Sequence, residues 1–496
     1  MLLACAKQPR RSEQAADVIG AKRRRRAEGH GRRVYHGADR ASADAACDDR
    51  LVTDPADLGV EDAAAALAAR TLSSSELVDA CLVRVQERDG THSSDGDPES
   101  INAWVRVYEE DARAAAVRAD ERLAAGDAPV LCGVPIGLKD LYAVAGKPLT
   151  ASSRVLHEVP ARDCDAWARL AGEGMVLLGH LHTHEFACGG TTDQVGNPWG
   201  LERSAGGSSG GSAAALASRQ VPAATGTDTA GSLRIPSAEC GTSTIKPTRG
   251  LVSMRGIVLL APSFDHAGPM ARTLRDCEPL LAALAGVDSP QDCRPLRSYA
   301  VSPRIADLDP DVADGFERAL AALPIERVEP PPPPARLDVL AEFFDLVLTE
   351  MLVYHRRFDD RRDEYRPAIR ARLEHAEQRA MTAEEYVAGQ GHRAEDTAAW
   401  CDWLAEHGID VIVEPTLPIV APVRGSGYDE AFSDLDDLSL THYWDWTGFP
   451  VVSLPSGVGS RSGLPTSVSL IGAPGTDWDL LAWGSALQDE LGTVTP

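Results

Sequence analysis

The amino-acid sequence predicts an α/β fold. Strand-like runs at residues 175–178, 222–225 and 411–413 alternate with segments whose apolar residues recur at helical spacing. Strands that alternate with helices are typical of a sheet that is covered by helices. With 496 residues, the chain is long enough to bury a large hydrophobic core.

The first ordered elements are expected to be helices at residues 61–69 and 74–88. The second helix has Ser74 as its expected N-cap and carries apolar side chains at helical spacing. A strand at residues 103–107 and an alanine-rich helix at residues 109–125 are expected to follow.

Two glycine-rich loops lie in the middle of the chain. The first, at residues 206–212, is followed by an alanine-rich segment that opens a helix at Ser212. The second, at residues 226–232, follows the expected strand at residues 222–225. Both loops carry serine beside glycine, and glycine lets the backbone come close to a bound group.

Lysine is rare in this chain, and Lys139 lies directly after the apolar run at residues 134–138. The chain has five lysines, whereas arginine carries nearly all the other positive charge. An arginine stays charged at any working pH, but a lysine can lose its proton. Burial lowers the pKa of a lysine because it disfavours the charged form. Asp140 is expected to point to the opposite face of a strand, so Lys139 is a candidate general base.

The serines of the two loops are candidate nucleophiles. A serine hydroxyl becomes nucleophilic only when a base takes its proton, and Lys139 is the candidate base. The backbone at Thr229, Ala230 and Gly231 is a candidate oxyanion hole, a cluster of N–H donors that stabilises negative charge on a reacting carbonyl oxygen.

The charge of the chain is uneven. The net charge is −25, yet residues 1–40 hold eleven basic and four acidic residues. The remainder holds 38 basic against 70 acidic residues, which would repel a phosphate backbone. Nucleic acid is therefore not an expected partner. Residues 1–48, with the run of basic residues at 22–26, are expected to form a disordered basic tail.

Cysteine usage and hydropathy favour a cytoplasmic location. Ten cysteines are scattered without a Cys-x-x-Cys pair, which fits a reducing compartment. No apolar run approaches the length that spans a bilayer, so no membrane interaction is expected.

The loops and their surroundings resemble the amidase signature family. The resemblance runs from about residue 55 to residue 490, and residues 206–250 are its most specific part. The matching motifs are Gly-Gly-Ser-Ser-Gly-Gly-Ser at 206–212, Gly-Thr-Asp at 226–228, Gly-Ser at 231–232, Arg234, Pro236, Gly241, Lys-Pro-Thr-Arg-Gly at 246–250, Asp265, Gly-Pro-Met at 268–270, Pro-Thr at 415–416 and Thr-Gly-Phe-Pro at 447–450.

The resemblance implies a catalytic triad of Lys139, Ser208 and Ser232. Ser232 would be the nucleophile, Ser208 would relay the proton and Lys139 would be the base. The 24-residue spacing of the two serines fits the family, in which a cis peptide bond precedes the relay serine. Ser209, Asp228 and Arg234 are expected to support the site, the last two as a buried pair or a brace for the loop backbone.

The resemblance also implies the architecture. We expect one amidase signature domain at residues 49–490 with a central mixed β-sheet surrounded by α-helices. Its signature core would span about residues 126–275. The arginine- and glutamate-rich helical segment at residues 336–406, which follows a proline run, would cover the active site.

Two residues depart from the family pattern. Ala230 replaces a usual glycine, which matters if that position needs a positive φ. Asp445 replaces a common asparagine. Trp444 and Trp446 on either side could line a substrate pocket or pack in the core.

Other interpretations of these motifs stay open at this point. Residues 206–212 could be a flexible linker. They also match the nucleophile elbow of α/β-hydrolases, although no convincing strand precedes them. His180, His182 and His184 alternate, as they would on one face of a strand, and could suggest a metal site.

The function that the resemblance implies is hydrolysis of a small-molecule carboxylic amide through an acyl-enzyme, with no metal or organic cofactor. The alternatives are the glutaminase-like component of a tRNA-dependent amidotransferase, an allophanate- or urea-type amide hydrolase, and a catalytically silent binding protein. A homodimer is the default expectation.

Overall fold

An eleven-stranded mixed sheet forms the centre of the computed structural model, which describes residues 54–290, 292–425 and 440–496. The basic tail expected at residues 1–48 lies outside the described residues. The strands found in the described part are β1 (Trp104–Val107), β2 (Pro135–Lys139), β3 (Val176–Leu181), β4 (Gly196–Asn197), β5 (Gly200–Ser204), β6 (Ala223–Asp228), β7 (Ser243–Lys246), β8 (His266–Ala271), β9 (Ser298–Val301), β10 (Glu326–Arg327), β11 (Val411–Pro415), β12 (Val451–Val458) and β13 (Pro465–Ile471).

The sheet combines parallel and antiparallel pairs. Its strand order is β1-β3-β2-β6-β8-β7-β12-β13-β11-β9-β10, while β4 and β5 form a separate pair. Strands β3, β2 and β6 run parallel to one another, as do β11, β9 and β10, and the other neighbours are antiparallel. The predicted α/β class with a mixed sheet is therefore confirmed.

Helices pack around this sheet. Those of the described residues are α1 (Val60–Ala68), α2 (Ser74–Arg88), α3 (Glu109–Ala125), α4 (Asp165–Gly172), α5 (Gly210–Ala217), α6 (Arg234–Cys240), α7 (Leu274–Ala285), α8 (Pro310–Ala322), α9 (Leu340–His355), α10 (Pro367–Arg379), α11 (Ala383–His407), α12 (His442–Thr447) and α13 (Asp477–Leu491). Three 3₁₀ segments lie at Pro55–Asp57, Glu185–Ala187 and Arg356–Glu364. In the part of the chain that is described, none of the helices has the length and apolar character needed to cross a bilayer.

The start of α2 differs from the sequence expectation by one residue. The N-cap is Ser73, whose Oγ accepts a hydrogen bond from Glu76 N at 3.1 Å, while the Glu76 carboxylate accepts one from Ser73 N at 2.9 Å. This reciprocal pair is a capping box, which satisfies two backbone donors at the helix start. Ser74, the predicted cap, donates instead to Gly133 O at 2.8 Å.

The sheet topology brings the ends of β2 and β6 together. The two strands are parallel neighbours, with Ile136 opposite Ala223 and Gly137 opposite Ala224. Because parallel strands end at the same edge of a sheet, Lys139 and Asp228 lie at one edge. The strand predicted at residues 222–225 is too short at its C-terminal end, because β6 continues to Asp228.

Arg393 of α11 attaches the helical segment to the body of the domain. It is 2% exposed, and its guanidinium lies 3.5 Å from the ring centroid of Phe264. The guanidinium donates to Ser263 O at 2.9 Å and to Trp446 O at 3.0 Å. One guanidinium therefore makes a cation–π contact and also donates hydrogen bonds to two backbone carbonyl groups.

We expect Arg393→Met to lower the free energy of unfolding by about 3 kcal/mol, because it leaves several buried carbonyl groups without a donor. The measurement is chemical denaturation. Arg255→Met removes an exposed arginine that pairs with Asp165 and is the control, with no measurable effect expected. A loss no larger than that of the control would show that Arg393 does not hold the segment.

Candidate active site

The amine of Lys139 is surrounded by hydroxyl groups. Its Nζ lies 2.7 Å from Ser208 Oγ, 2.8 Å from Ser209 Oγ and 2.9 Å from Thr227 Oγ1. Lys139, Ser208 and Ser209 have no exposed surface. The fold thus brings the candidate base and the first glycine-rich loop into one buried cluster.

Burial lowers the pKa of Lys139 well below its ordinary range, and the negative charges of Asp228 and Asp265 oppose this shift only in part. Asp140 does not join the cluster. Its carboxylate accepts hydrogen bonds from Thr150 N at 3.3 Å and Ser152 N at 2.9 Å. The adjacent carboxylate is therefore kept away from the amine.

An uncharged amine at this position can make three hydrogen bonds. It has two N–H donors and one lone pair, whereas three hydroxyl oxygens lie within 2.9 Å of Lys139 Nζ. Two of these oxygens can accept an N–H, and the third hydroxyl then donates its proton to nitrogen. This arrangement is suited to proton transfer from a serine to the lysine.

The backbone around Ser208 is held from two sides. The Gly207–Ser208 peptide bond is cis, as the family resemblance implies. Ser208 O accepts hydrogen bonds from His184 N at 3.0 Å and Thr192 Oγ1 at 3.2 Å. A Cβ atom on Gly207 would lie 2.2 Å from Thr191 O, so glycine is required by the close approach of two backbones.

The two glycine-rich loops also pack against each other. A Cβ atom on Gly206 would lie 2.6 Å from Pro236 Cα, in the helix that follows the second loop. A Cβ atom on Gly226 would lie 2.8 Å from Ser209 Oγ and 2.6 Å from Leu233 Cδ2. Ser209 and Leu233, which follow the two candidate catalytic serines, therefore both pack against the backbone of β6 at Gly226.

Asp228 organises the second loop. Its carboxylate accepts hydrogen bonds from Gly231 N at 2.6 Å and Leu233 N at 3.1 Å. It also pairs with Arg234, whose Nε and Nη2 donate to the two carboxylate oxygens at 2.9 and 3.0 Å. Asp228 and Arg234 are thus the buried pair that the sequence suggested, and they fix the backbone on both sides of Ser232.

This brace changes the expectation for the oxyanion hole. Gly231 N–H is directed at Asp228, so Gly231 is not available as a donor in this conformation. Within the described residues, the backbone N–H groups of Thr229, Ala230 and Ser232 have no hydrogen-bond acceptor. Ala230 does not have a positive φ, which explains why alanine is accepted there.

Asp265 supports the loop from the other side. Its carboxylate accepts hydrogen bonds from Thr229 Oγ1 at 2.6 Å and from Leu260 N at 2.9 Å and Ala261 N at 3.1 Å. Burial raises the pKa of Asp265 to about 7, although these hydrogen bonds oppose the shift.

Ser232 is 5% exposed and lines a small, mostly apolar cavity of about 40 Å³. One wall is a face of α9, with Phe343, Phe344, Val347 and Leu348. The other lining residues are Ala187, Cys188, Gly189, Gly190, Thr229, Ala230, Leu260 and Arg372. The helical segment thus contributes directly to the site of the candidate nucleophile.

The three alternating histidines do not converge. His180 Nδ1 bonds to Tyr108 OH at 2.8 Å, and His182 Nδ1 lies 3.2 Å from Gln194 Nε2. The strand β3 ends before His182 and His184, so its alternation does not extend to them. Among the described residues no group of His, Cys, Asp or Glu could hold a metal ion.

Trp444 and Trp446 are core residues. Both are fully buried, and neither is among the lining residues of the cavity. Trp444 Nε1 donates to Glu414, and Trp446 Nε1 donates to Asp396 at 2.9 Å. Buried indoles usually have such a partner.

Sequence reasoning missed the contact of Thr227 with Lys139, and it did not identify which residues of the predicted covering segment line the cavity. Thr225 and Thr227 point to the same face of β6. The backbone N–H of Lys139 donates to Thr225 Oγ1, and the Lys139 amine contacts Thr227 Oγ1. The alternation was visible in the sequence, but the pairing of β2 with β6 was not.

Comparisons with known proteins identify the family of this chain. A family model described as Amidase matches residues 94–481. One component of the Glutamyl-tRNA(Gln) amidotransferase of Roseiflexus sp. (strain RS-1) is 35% identical over 482 residues, which cover 87% of this chain and 96% of that protein. A crystal structure of an amidase aligns with a TM-score of 0.77 at 29% identity, over 88% of this chain and 100% of that one. The 6-aminohexanoate cyclic dimer hydrolase, in complex with its substrate, aligns with a TM-score of 0.75 at 26% identity, over 88% and 98% of the two chains.

The chain therefore belongs to the amidase family. As a member, it is an amidase, an enzyme that hydrolyses the C–N bond of a carboxylic amide.

The close packing of the first loop gives a stability test at Gly211. A Cβ atom there would lie 2.6 Å from the backbone N and O of His182. We expect Gly211→Ala to lower the free energy of unfolding by about 3 kcal/mol or to prevent folding, because backbone atoms must move.

Gly172→Ala is the matched control, because an added Cβ on this helical residue meets no atom within 4 Å. It should leave the stability unchanged or raise it slightly. Equal thermal unfolding midpoints for the two variants would contradict the packing described for this loop.

Proposed function

We propose that Ser232 is the nucleophile of this amidase, that Ser208 relays its proton and that Lys139 is the general base. The observation that carries the proposal is the buried amine with three hydroxyl neighbours. A desolvated lysine without a contacting carboxylate is a base at neutral pH, and a serine needs such a base to react.

The reaction proceeds in two stages. Ser232 Oγ attacks the amide carbonyl, while its proton passes through Ser208 to Lys139. The C–N bond breaks, the leaving amine takes that proton and an ester remains on Ser232. Water then attacks the ester, gives a proton to Lys139 and releases the acid, after which the proton returns to Ser232.

The negative oxygen formed at each stage requires donors. The backbone N–H groups of Thr229, Ala230 and Ser232 supply them, since they have no acceptor in the described structure. Gly231 serves a different purpose, since its N–H anchors the loop on Asp228. A preorganised donor of this kind contributes about 3–4 kcal/mol to the barrier reduction.

The substrate is a small-molecule amide with an apolar acyl group. Support comes from the wall beside Ser232, where Phe343, Val347 and Leu348 face the cavity. The second candidate is the glutaminase-like component of an amidotransferase, which the name of the Roseiflexus relative favours. That function needs a polar glutamine in the site and partner proteins that accept ammonia.

Ser232→Ala should reduce kcat by about 10⁴-fold or more, because it removes the atom that forms the acyl-enzyme. Release of amine or ammonia measures this loss, and labelling with a fluorophosphonate probe should disappear in parallel. Ser218→Ala, a buried serine that donates to Ala214 O, is the control and should keep its activity. Retained activity in Ser232→Ala would identify another nucleophile.

The pH dependence tests the base. Lys139 acts only when uncharged, so kcat should fall as pH decreases through the Lys139 pKa, which lies well below its usual range. Lys139→Arg should lose about 10³-fold or more, because arginine cannot lose its proton. Lys147→Arg, which keeps a charge near Asp111, is the control. A kcat that shows no acid limb before the protein unfolds would exclude this base.

Acyl specificity tests the cavity wall. Across a series of straight-chain amides, kcat/KM should rise about fourfold for each added methylene until the cavity is filled. Val347→Thr should flatten this rise because it adds a polar group of the same shape. Val353→Thr on the same helix is the control, since Val353 is 69% exposed. Preference for glutamine, together with co-purifying partner proteins, would favour the amidotransferase function.

A further inference from the structure

A buried carboxylate outside the triad is connected to the nucleophile loop. Asp445, in α12, has no exposed surface. Its Oδ2 accepts a hydrogen bond from Arg234 Nη2 at 2.6 Å. The same nitrogen donates to Asp228 Oδ1 at 3.0 Å, so its two hydrogens serve two different carboxylates.

Arg234 is therefore fixed at both ends. Its Nε donates to Asp228 at 2.9 Å, and its Nη2 is shared between Asp228 and Asp445. A planar guanidinium with three such bonds has a single orientation. Burial would lower the pKa of Arg234, but the two carboxylates outweigh it and raise that pKa, so the arginine stays charged.

A neutral histidine extends the connection. His266 Nδ1 lies 3.2 Å from Asp445 Oδ1 and 3.2 Å from Asp228 O, and its Nε2 lies 3.3 Å from Lys246 Nζ. Burial, with the charge of Lys246, lowers the pKa of His266. With an ammonium group at Nε2, the ring proton is on Nδ1 and is donated to Asp228 O, while Asp445 Oδ1 lies nearby without a hydrogen bond to any of the described residues.

Cations surround the two carboxylates of this group. Asp228 and Asp445 are both fully buried, and two carboxylates in such a place require two cations. Arg234 is one. Lys246 is the other, because burial lowers its pKa to about 8 while Asp445 opposes the shift, which leaves it charged near neutral pH. Arg249 adds a further positive charge that attracts Asp445.

We propose that Asp445 is a positioning residue for the loop that carries Ser232, and that Lys246 is its counter-ion through His266. Asp445 does not touch the cavity. It acts by fixing Arg234, and hence the carboxylate that binds the two N–H groups next to the nucleophile. This inference rests on the proposed role of Ser232.

The test is Asp445→Asn, which keeps the shape of the side chain and restores the asparagine common in the family, but removes the charge that Arg234 and Lys246 face in this chain. We expect kcat to fall about 10- to 100-fold with KM nearly unchanged, since a small displacement of a nucleophile has effects of this size. The rate of labelling of Ser232 by a fluorophosphonate probe should fall by the same factor. Thermal unfolding is measured on the same samples.

Asp311→Asn is the matched control. Asp311 is a buried carboxylate that pairs with Arg461 at 3.0 Å, away from the active site, so its loss should affect stability without changing kcat or labelling. Lys246→Met should reproduce the kcat effect. In the double variant with Asp445→Asn, the loss should be smaller than the product of the two single losses.

The outcomes separate the two proposals. If Asp445→Asn changes kcat no more than Asp311→Asn, or changes only KM, the positioning role is wrong while Ser232→Ala can still be inactive. If Ser232→Ala is active, the proposed function fails first. Should Asp445→Asn not fold, Lys246→Met and His266→Asn decide, and normal labelling rates in both would overturn the inference.

Discussion

The structure depends on one constraint, an ε-amine kept out of water without a carboxylate in contact. An isolated buried ammonium is very costly, so Lys139 is held as a base by its surroundings. Its hydrogen-bond partners are hydroxyl groups, which can accept or donate and therefore fit both protonation states. Asp140, the nearest carboxylate in sequence, is engaged by backbone N–H groups elsewhere. The charge needed to brace the loop is placed on Asp228, where Arg234 neutralises it.

The fold supplies this environment through three close approaches. Parallel pairing of β2 and β6 sets Lys139 beside the threonines of the neighbouring strand. Glycines allow the first loop to contact backbone at distances that exclude a Cβ atom. Helix α9 closes the cavity with apolar side chains, and Arg393 of α11 ties the same helical segment to the body. Lys139 has no exposed surface, and the apolar wall beside Ser232 faces the acyl group of the proposed substrate.

Local features of the fold could be predicted from the sequence, whereas most long-range ones could not. Apolar periodicity was sufficient for α2 and α3, because their burial repeats along the helix. The glycine-rich loops and Lys139 could be recognised as a candidate active site, because few other structures need a lysine after an apolar run and then two glycine-rich loops that carry serine. The occupied N–H of Gly231 could not be predicted, since it depends on a carboxylate three residues earlier folding back. A cover by residues 336–406 was expected, but the cavity-lining side chains of α9 could not be picked out, because an apolar helix face looks the same whether it packs in a core or lines a cavity.

The pKa of Lys139 in the folded enzyme tests most directly whether this amine is the general base. With only five lysines in the chain, ¹³C labelling at the lysine ε-carbon gives few resonances, and the Lys139 signal is the one lost in Lys139→Met. We predict that this signal titrates well below the ordinary lysine value of about 10.4 and is that of a neutral amine at the pH of catalysis. Titration near the ordinary value would contradict the account, because a charged amine cannot accept the serine proton.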